Sequence, residues 1–232
     1  MKSLIIQPCE LLRRPFANSI WRLDDIFCDA EKVSHHTPRI SLTFDDGPIP
    51  EQTPWVLDIL DQYNIKATFF VVGDNVRKYP DVFREVVARG HEVGNHTFNH
   101  VQMLRMSWRD YVKNIRLCSE EAQKALPGVR MRFFRAPHGQ ITPWRCRELT
   151  TGSSALMSGL GFTNMVFWDV MPMDYDSRLT PREVAKNTRT YLRDGSVIVM
   201  HDSIKAGERM RYALSTTIDE VLSKGWHIVP IP

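Results

Sequence analysis

Long apolar runs are missing from this sequence. The first nine residues, Met1-Lys2-Ser3-Leu4-Ile5-Ile6-Gln7-Pro8-Cys9, hold three strong apolar residues in a row before polar and proline interruption. That is too short for the apolar region of a secretory leader, and no stretch suggests a transmembrane span. The default expectation is a cytoplasmic chain, with envelope association as the variant. Cysteine is also scarce. Cys9, Cys28, Cys118 and Cys146 show no Cys-x-x-Cys spacing, which excludes the usual structural zinc and dithiol motifs and reads as reduced thiols. Neither sign of charge dominates: 30 basic against 27 acidic residues leave +3, too mild to argue for nucleic acid. Arginines do gather between Arg130 and Arg147, where an anionic substrate group would be apt. Repeats and low-complexity segments are absent as well.

What is present is an ordinary globular composition, 43% hydrophobic and 25% charged over 232 residues, enough for one large domain. Leu12, Phe16, Ile20, Leu23 and Phe27 recur every three or four positions and predict an amphipathic helix from near Pro15, packed on the main domain. Residues 1–38 are therefore expected to be an N-terminal extension and 39–232 the main unit. From residue 39 strands and helices alternate. Strands are predicted at 40–44, 67–72, 91–93, 131–134, 164–168, 196–200 and 226–229, and helices at 54–63, 81–89, 107–126, 153–160, 181–193 and 208–224. Gly90 closes one helix, and Thr180 caps another. About seven strands separated by helices imply a parallel α/β architecture of the TIM-barrel type in a single domain.

The unusual residues fall where the predicted strands end. Asp45-Asp46, Asn95-His96, Arg135-Ala136-Pro137, Asp169 to Asp174 and His201-Asp202 each follow a strand's carboxyl end, the face on which barrels converge catalytic groups. Adjacent carboxylates repel unless a cation sits beside them. His96 and His100, four residues apart, can share an ion, and one carboxylate completes a two-His, one-carboxylate set with positions open for water and substrate. Zinc is the first expectation, with iron, cobalt or nickel suited to the same donors. Spacing leaves open which of Asp45 and Asp46 ligates and which acts as general base. Arg135 can hold the second aspartate ionised, and a backbone amide just past Pro137 can face an oxyanion. Trp168 and Tyr175 offer faces to a sugar ring. His201 can protonate a leaving group if an acid orients it, with Asp174 and Asp202 both in reach.

Taken in order, Thr43-Phe44-Asp45-Asp46-Gly47, His96-Thr97-Phe98-Asn99-His100, Arg135-Ala136-Pro137-His138-Gly139, Met173-Asp174-Tyr175 and Val199-Met200-His201 resemble the five motifs of the NodB-homology polysaccharide deacetylases, carbohydrate esterase family 4. The resemblance spans residue 39 to the C-terminus. It implies a distorted (β/α)7 barrel and metal-dependent hydrolysis of N-acetyl groups on an N-acetylglucosamine-containing oligo- or polysaccharide, of the chitin-oligosaccharide or peptidoglycan type. It further implies Asp45 as base, Asp46, His96 and His100 as ligands of one divalent ion, Arg135 supporting Asp45, His201 as acid tuned by Asp174, and the His138 amide at the oxyanion. Pro137, Trp168, Tyr175 and Val199 would contact substrate. His138, Tyr175 and Val199 stand where Tyr, Trp and Leu are common in the family, which bears on substrate choice. The alternatives are a de-N-acylase of a lipid- or nucleotide-linked sugar and a carbohydrate-binding barrel without turnover. The partner expected is an acetylated glycan, and oligomeric state is not legible.

Overall fold

The computed structural model describes residues 19–26, 37–151 and 160–232. Eight parallel strands form its frame: β1 (Ser19–Ile20), β2 (Arg39–Asp45), β3 (Thr68–Val71), β4 (Glu92–Asn95), β5 (Phe133–Phe134), β6 (Asn164–Val166), β7 (Val197–His201) and β8 (His227–Ile228). Their order is β1-β6-β5-β4-β3-β2-β7, with β8 also pairing β2. The helices are α1 (Thr53–Gln62), α2 (Gly73–Lys78), α3 (Pro80–Ala88), α4 (Trp108–Ala125), α5 (Pro143–Thr151), α6 (Pro181–Tyr191) and α7 (Gly207–Ser223). The curl almost closes. Beyond β6 the chain bridges back to β7, with Val170 paired to Ile198 and the Asp169 N–H donating to Val197 O at 3.1 Å. The result is the distorted (β/α)7 barrel expected.

β2 is buried along Ile40–Asp45, so it reads as a continuous apolar run rather than an alternating one, as parallel strands covered on both faces do. Phe44 stacks on Phe69 of β3 at 5.0 Å, and α1, α3, α4 and α7 bury Leu57, Val86, Ile115 and Leu214 against the outside of the sheet. Ser107 caps α4 by accepting from the Asp110 N–H, and Thr180 and Glu183 form a reciprocal capping box on α6, which fixes where both helices begin. Cys118 and Cys146 are buried, with thiols pushed up to about 12 by that burial; Cys9 and Cys28 lie outside the described residues.

Two expectations change. The helix from Pro15 is not what residues 19–26 form: Ser19–Ile20 is a strand on the sheet edge beside β6, and Leu23–Asp25 a single 3-10 turn. The apolar spacing there serves a different geometry, with Ile20 and Leu23 packed in the barrel and Trp21 stacked flat on Phe167 at 4.0 Å. Residues 12–18 and Phe27 lie outside the described residues, as do residues 153–159 of the helix expected at 153–160; Leu160, its last residue, stands in a turn. The six-residue α2 and the helix α5 were not anticipated. α2 opens on Gly73, where an added Cβ would lie 2.6 Å from the Cα of Cys118, so glycine there lets α2 approach α4.

Candidate active site

The carboxyl ends of β2, β4, β5 and β7 deliver the sequence-flagged residues to one cleft of about 440 Å³. Its lining includes Asp45, Asp46, His96, His100, His138 and His201. Asp45 is the last residue of β2 and is 3% exposed. Its Oδ1 accepts from Arg135 Nη1 at 2.7 Å. Arg135 is itself fully buried and spends its other donors on Thr43 Oγ1, Val166 O and Phe167 O, at 2.7, 3.1 and 2.8 Å. Its guanidinium also lies 4.1 Å from the Phe70 ring centre. Burial alone would push the Asp45 carboxyl up. Arg135, His96 and His201 outweigh it and hold the group below the usual carboxylate range, so Asp45 stands ionised.

Beside it Asp46 Oδ1 lies 3.2 Å from His100 Nε2 and 3.9 Å from His96 Nε2. One donor atom from each of the three residues falls within 4.8 Å of the other two. The tautomer of His96 follows from its other nitrogen: Nδ1 sits 2.8 Å from the Arg135 carbonyl oxygen, which can only accept, so Nε2 keeps its lone pair toward the site. Burial pushes this imidazole down to about 4 and keeps it neutral. Asp46 Oδ1 is buried and makes no hydrogen bond. A carboxylate oxygen left bare between two imidazoles is costly without a cation, and an oxygen-plus-two-nitrogen donor set suits a divalent transition metal. The residues present fit the ion that the sequence led us to expect.

Local structure holds these groups in place. Asn95 accepts from the Thr97 N–H with Oδ1 and donates from Nδ2 to Ile115 O and Ser119 Oγ, all at 2.9 Å. Asn114 Oδ1 accepts from the Phe98 and Asn99 amides at 2.9 and 3.3 Å. Thus α4 moulds the turn that brings His96 and His100 together. Asn75 of α2 donates to Asp46 O at 2.7 Å. Asp46, Thr97, His100, His138 and Met173 all carry positive φ, between 55° and 83°, a conformation that favours glycine. Asn64 is the one other non-glycine residue so placed among those described.

Across the cleft, Asp174 is fully buried and binds His201 twice: Oδ1 lies 2.8 Å from His201 Nδ1 and Oδ2 accepts from the His201 N–H at 2.7 Å. Burial would lower the imidazole. The Asp174 carboxylate overrides it and takes His201 up to about 10. Asp202, the other acid near His201 in sequence, is occupied elsewhere, accepting from the Gly47 N–H at 2.9 Å and Thr53 Oγ1 at 2.6 Å. Asp169 is structural too: it accepts from the Val197 N–H at 2.7 Å and from Arg193 at 3.2 Å. His138 is exposed at the cleft with its ring 4.8 Å from that of His100. Buried Pro137 precedes it, and Gly139 beyond it leaves room for Trp168, which an added Cβ would meet at 2.9 Å. Tyr175 turns edge-on to His201 at 5.1 Å, and Val199 lies on the cleft floor. Met171, Ser203 and Lys205 also line the cleft. Nothing in their spacing had flagged them, because cleft lining is set by loop geometry that a sequence does not print.

The carboxyl rim of a parallel barrel thus gathers a bare carboxylate beside two imidazoles, with an arginine-held aspartate and an aspartate-held histidine facing the same cleft. A family model for polysaccharide deacetylases matches residues 32–150. The chain is 32% identical over 194 residues to a chitooligosaccharide deacetylase from Bradyrhizobium sp. (strain ANU 289), covering 84% of each. It is 30% identical over 200 residues to a peptidoglycan-N-acetylglucosamine deacetylase of Bacillus cereus, covering 85% of this chain and 68% of that one. The solved structure of the peptidoglycan deacetylase PdaC from Bacillus subtilis superposes with a TM-score of 0.72 at 30% identity, covering 84% of this chain and 89% of that one. The chain belongs to the polysaccharide deacetylase family, the NodB-homology barrels of carbohydrate esterase family 4.

Proposed function

We propose that this protein hydrolyses N-acetyl groups from an N-acetylglucosamine-containing oligo- or polysaccharide, with Asp45 and His201 as the two proton-transfer residues. The observation that carries the reading is their opposition across one donor set: an ionised, arginine-clamped carboxylate on one side and a carboxylate-held imidazolium on the other. Asp46, His96 and His100 would hold the ion, zinc in the first instance and cobalt or nickel on the same donors. When bound, such an ion supplies Lewis acidity toward an acyl oxygen and lowers the pKa of water.

The chain's own residues do the rest. Asp45 takes a proton from the attacking water, and Arg135 keeps that carboxylate oriented and charged until it does. The carbonyl oxygen gains negative charge as the tetrahedral centre forms, and the backbone N–H of His138, beside His100, is offered to it. His201 then passes its proton to the departing sugar nitrogen, while Asp174 steadies the imidazolium before transfer. Trp168 and Tyr175 present ring faces to the pyranose, and Pro137 and Val199 supply apolar contact for the acetyl methyl. The names of the relatives support both the reaction and a glycan substrate.

Acetate release from chito-oligosaccharides and from peptidoglycan fragments, with zinc or cobalt added, tests the proposal. Wild type is expected to release acetate, and Asp45→Asn to do so about 10²–10⁴ times more slowly with unchanged metal content. Binding of the glycans with no release by wild type, under any of the metals, would refute it.

A further inference from the structure

The three most exposed large apolar side chains among the described residues are Leu104, Trp144 and Ile204, at 74%, 71% and 68% exposure; the next reach 41%. Leu104 sits in the turn between β4 and α4, Trp144 at the start of α5 just after β5, and Ile204 between β7 and α7. All three belong to connections leaving the carboxyl ends of strands, the end that carries the cleft. Each is followed in sequence by a base: Arg105, Arg145 and Lys205. Arg145 is tied to Glu148 at 2.8 Å and lies over the Trp108 ring at 4.5 Å. Arg105 and Lys205 have no carboxylate within salt-bridge distance among the described residues, and Lys205 lines the cleft with its ammonium 5.6 Å from the Tyr175 ring centre. Asp176, which feels the Lys205 charge, is already gripped by Arg178 at 2.6 Å.

Single exposed apolar residues need no explanation. Three apolar tips that stand out well beyond the rest and leave the same end of a barrel, each followed by a base, match a surface that is apolar beneath and anionic on top. Leucine and isoleucine gain by entering hydrocarbon, tryptophan settles at headgroup level, and lysine and arginine meet phosphate. A sugar polymer would suit Trp144 but offers the aliphatic tips of Leu104 and Ile204 nothing to enter. We propose that the rim around the cleft is a docking face for an anionic lipid bilayer, with Leu104, Trp144 and Ile204 entering the headgroup boundary and Arg105 and Lys205 meeting lipid phosphates. The cleft then faces glycan held at the membrane surface. That last consequence rests on the deacetylase reading; the docking does not.

The test is sedimentation of the full chain with vesicles of phosphatidylglycerol and, separately, of phosphatidylcholine. Binding is expected to the first, weakening as salt rises, and little to the second. Leu104→Ser/Trp144→Ser/Ile204→Ser is expected to lose about tenfold or more in partitioning while turning over a soluble chito-oligosaccharide at the wild-type rate. Arg105→Glu is expected to weaken binding to phosphatidylglycerol alone. No binding to either vesicle, binding that the triple variant leaves intact, or a triple variant whose one defect is retention on insoluble chitin or peptidoglycan would each overturn the proposal. Because the readout is partitioning, any of these results leaves the deacetylase reading standing.

Discussion

At the scale of single residues, the proposed proton donor is shaped by its neighbour. His201 rises to about 10 because Asp174 is fully buried and hydrogen-bonded to it, and not because of exposure, which would leave it near 6.5. A raised imidazole stays protonated until pH climbs through its folded value, so a general acid here keeps its proton across the neutral range and loses it on the alkaline side. Replacing Asp174 with Asn removes the negative charge but keeps a hydrogen-bonding group. The alkaline limb of kcat against pH should then move down toward 6.5, and turnover at pH 7.5 should fall about 10-fold or more. An unmoved limb would remove Asp174 from its proposed role. The sequence offered Asp174 and Asp202 on equal terms for this task. They differ in what else each one touches, and that depends on Gly47 and Thr53, about 150 positions away in the chain.

At the scale of elements, β2 and the loop after it were readable because their signal is local: an apolar run, two acids and Gly47-Pro48 in sequence. The same held for the capped helices α4 and α6, where Ser107 and Thr180 announce the first turn. β1 was not readable. Its two residues acquire strand geometry from β6, far along the chain, while the nearby apolar spacing fits a helix equally well. α2 was missed because Gly73-Asp74-Asn75 carries little helix propensity and is shaped by contact with α4. The loop after β2 also depends on β7's far end. A Cβ on Gly47 would lie 2.0 Å from Asp202 Oδ2, so Gly47→Ala must push either the loop or the carboxylate aside. Thermal or denaturant unfolding should show a loss of about 2 kcal/mol or more, with weaker metal retention because Asp46 adjoins the displaced residue. Thr180→Ala, on a helix away from the cleft, should cost about 1 kcal/mol and leave metal retention unchanged.

At the scale of the whole molecule, acid should loosen the barrel before it protonates the paired carboxylates. His91 enters β4 buried and neutral, its Nδ1 accepting from the Ala67 N–H at 3.2 Å and its ring edge-on to Phe69. Burial takes it down to about 4. The unfolded chain therefore binds the proton more readily than the folded one between pH 6.5 and 4, and stability is lost as pH falls through that window. Denaturant midpoints at pH 7 and 4.5 should differ, with His91 contributing on the order of 2 kcal/mol, and His91→Phe should flatten the dependence. An unchanged slope in that variant would assign the effect to other groups.

The positive-φ residues carry a consequence for how such a barrel drifts through evolution. Asp46, Thr97, His100 and His138 hold their side chains on backbone that glycine occupies more comfortably, each at a strain of roughly 1 kcal/mol. Mutation toward glycine at these positions is downhill for the fold and uphill for turnover alone. Once selection for chemistry lapses, the motif should erode while the architecture survives, and the melting temperature of Thr97→Gly against wild type measures how steep that slope is.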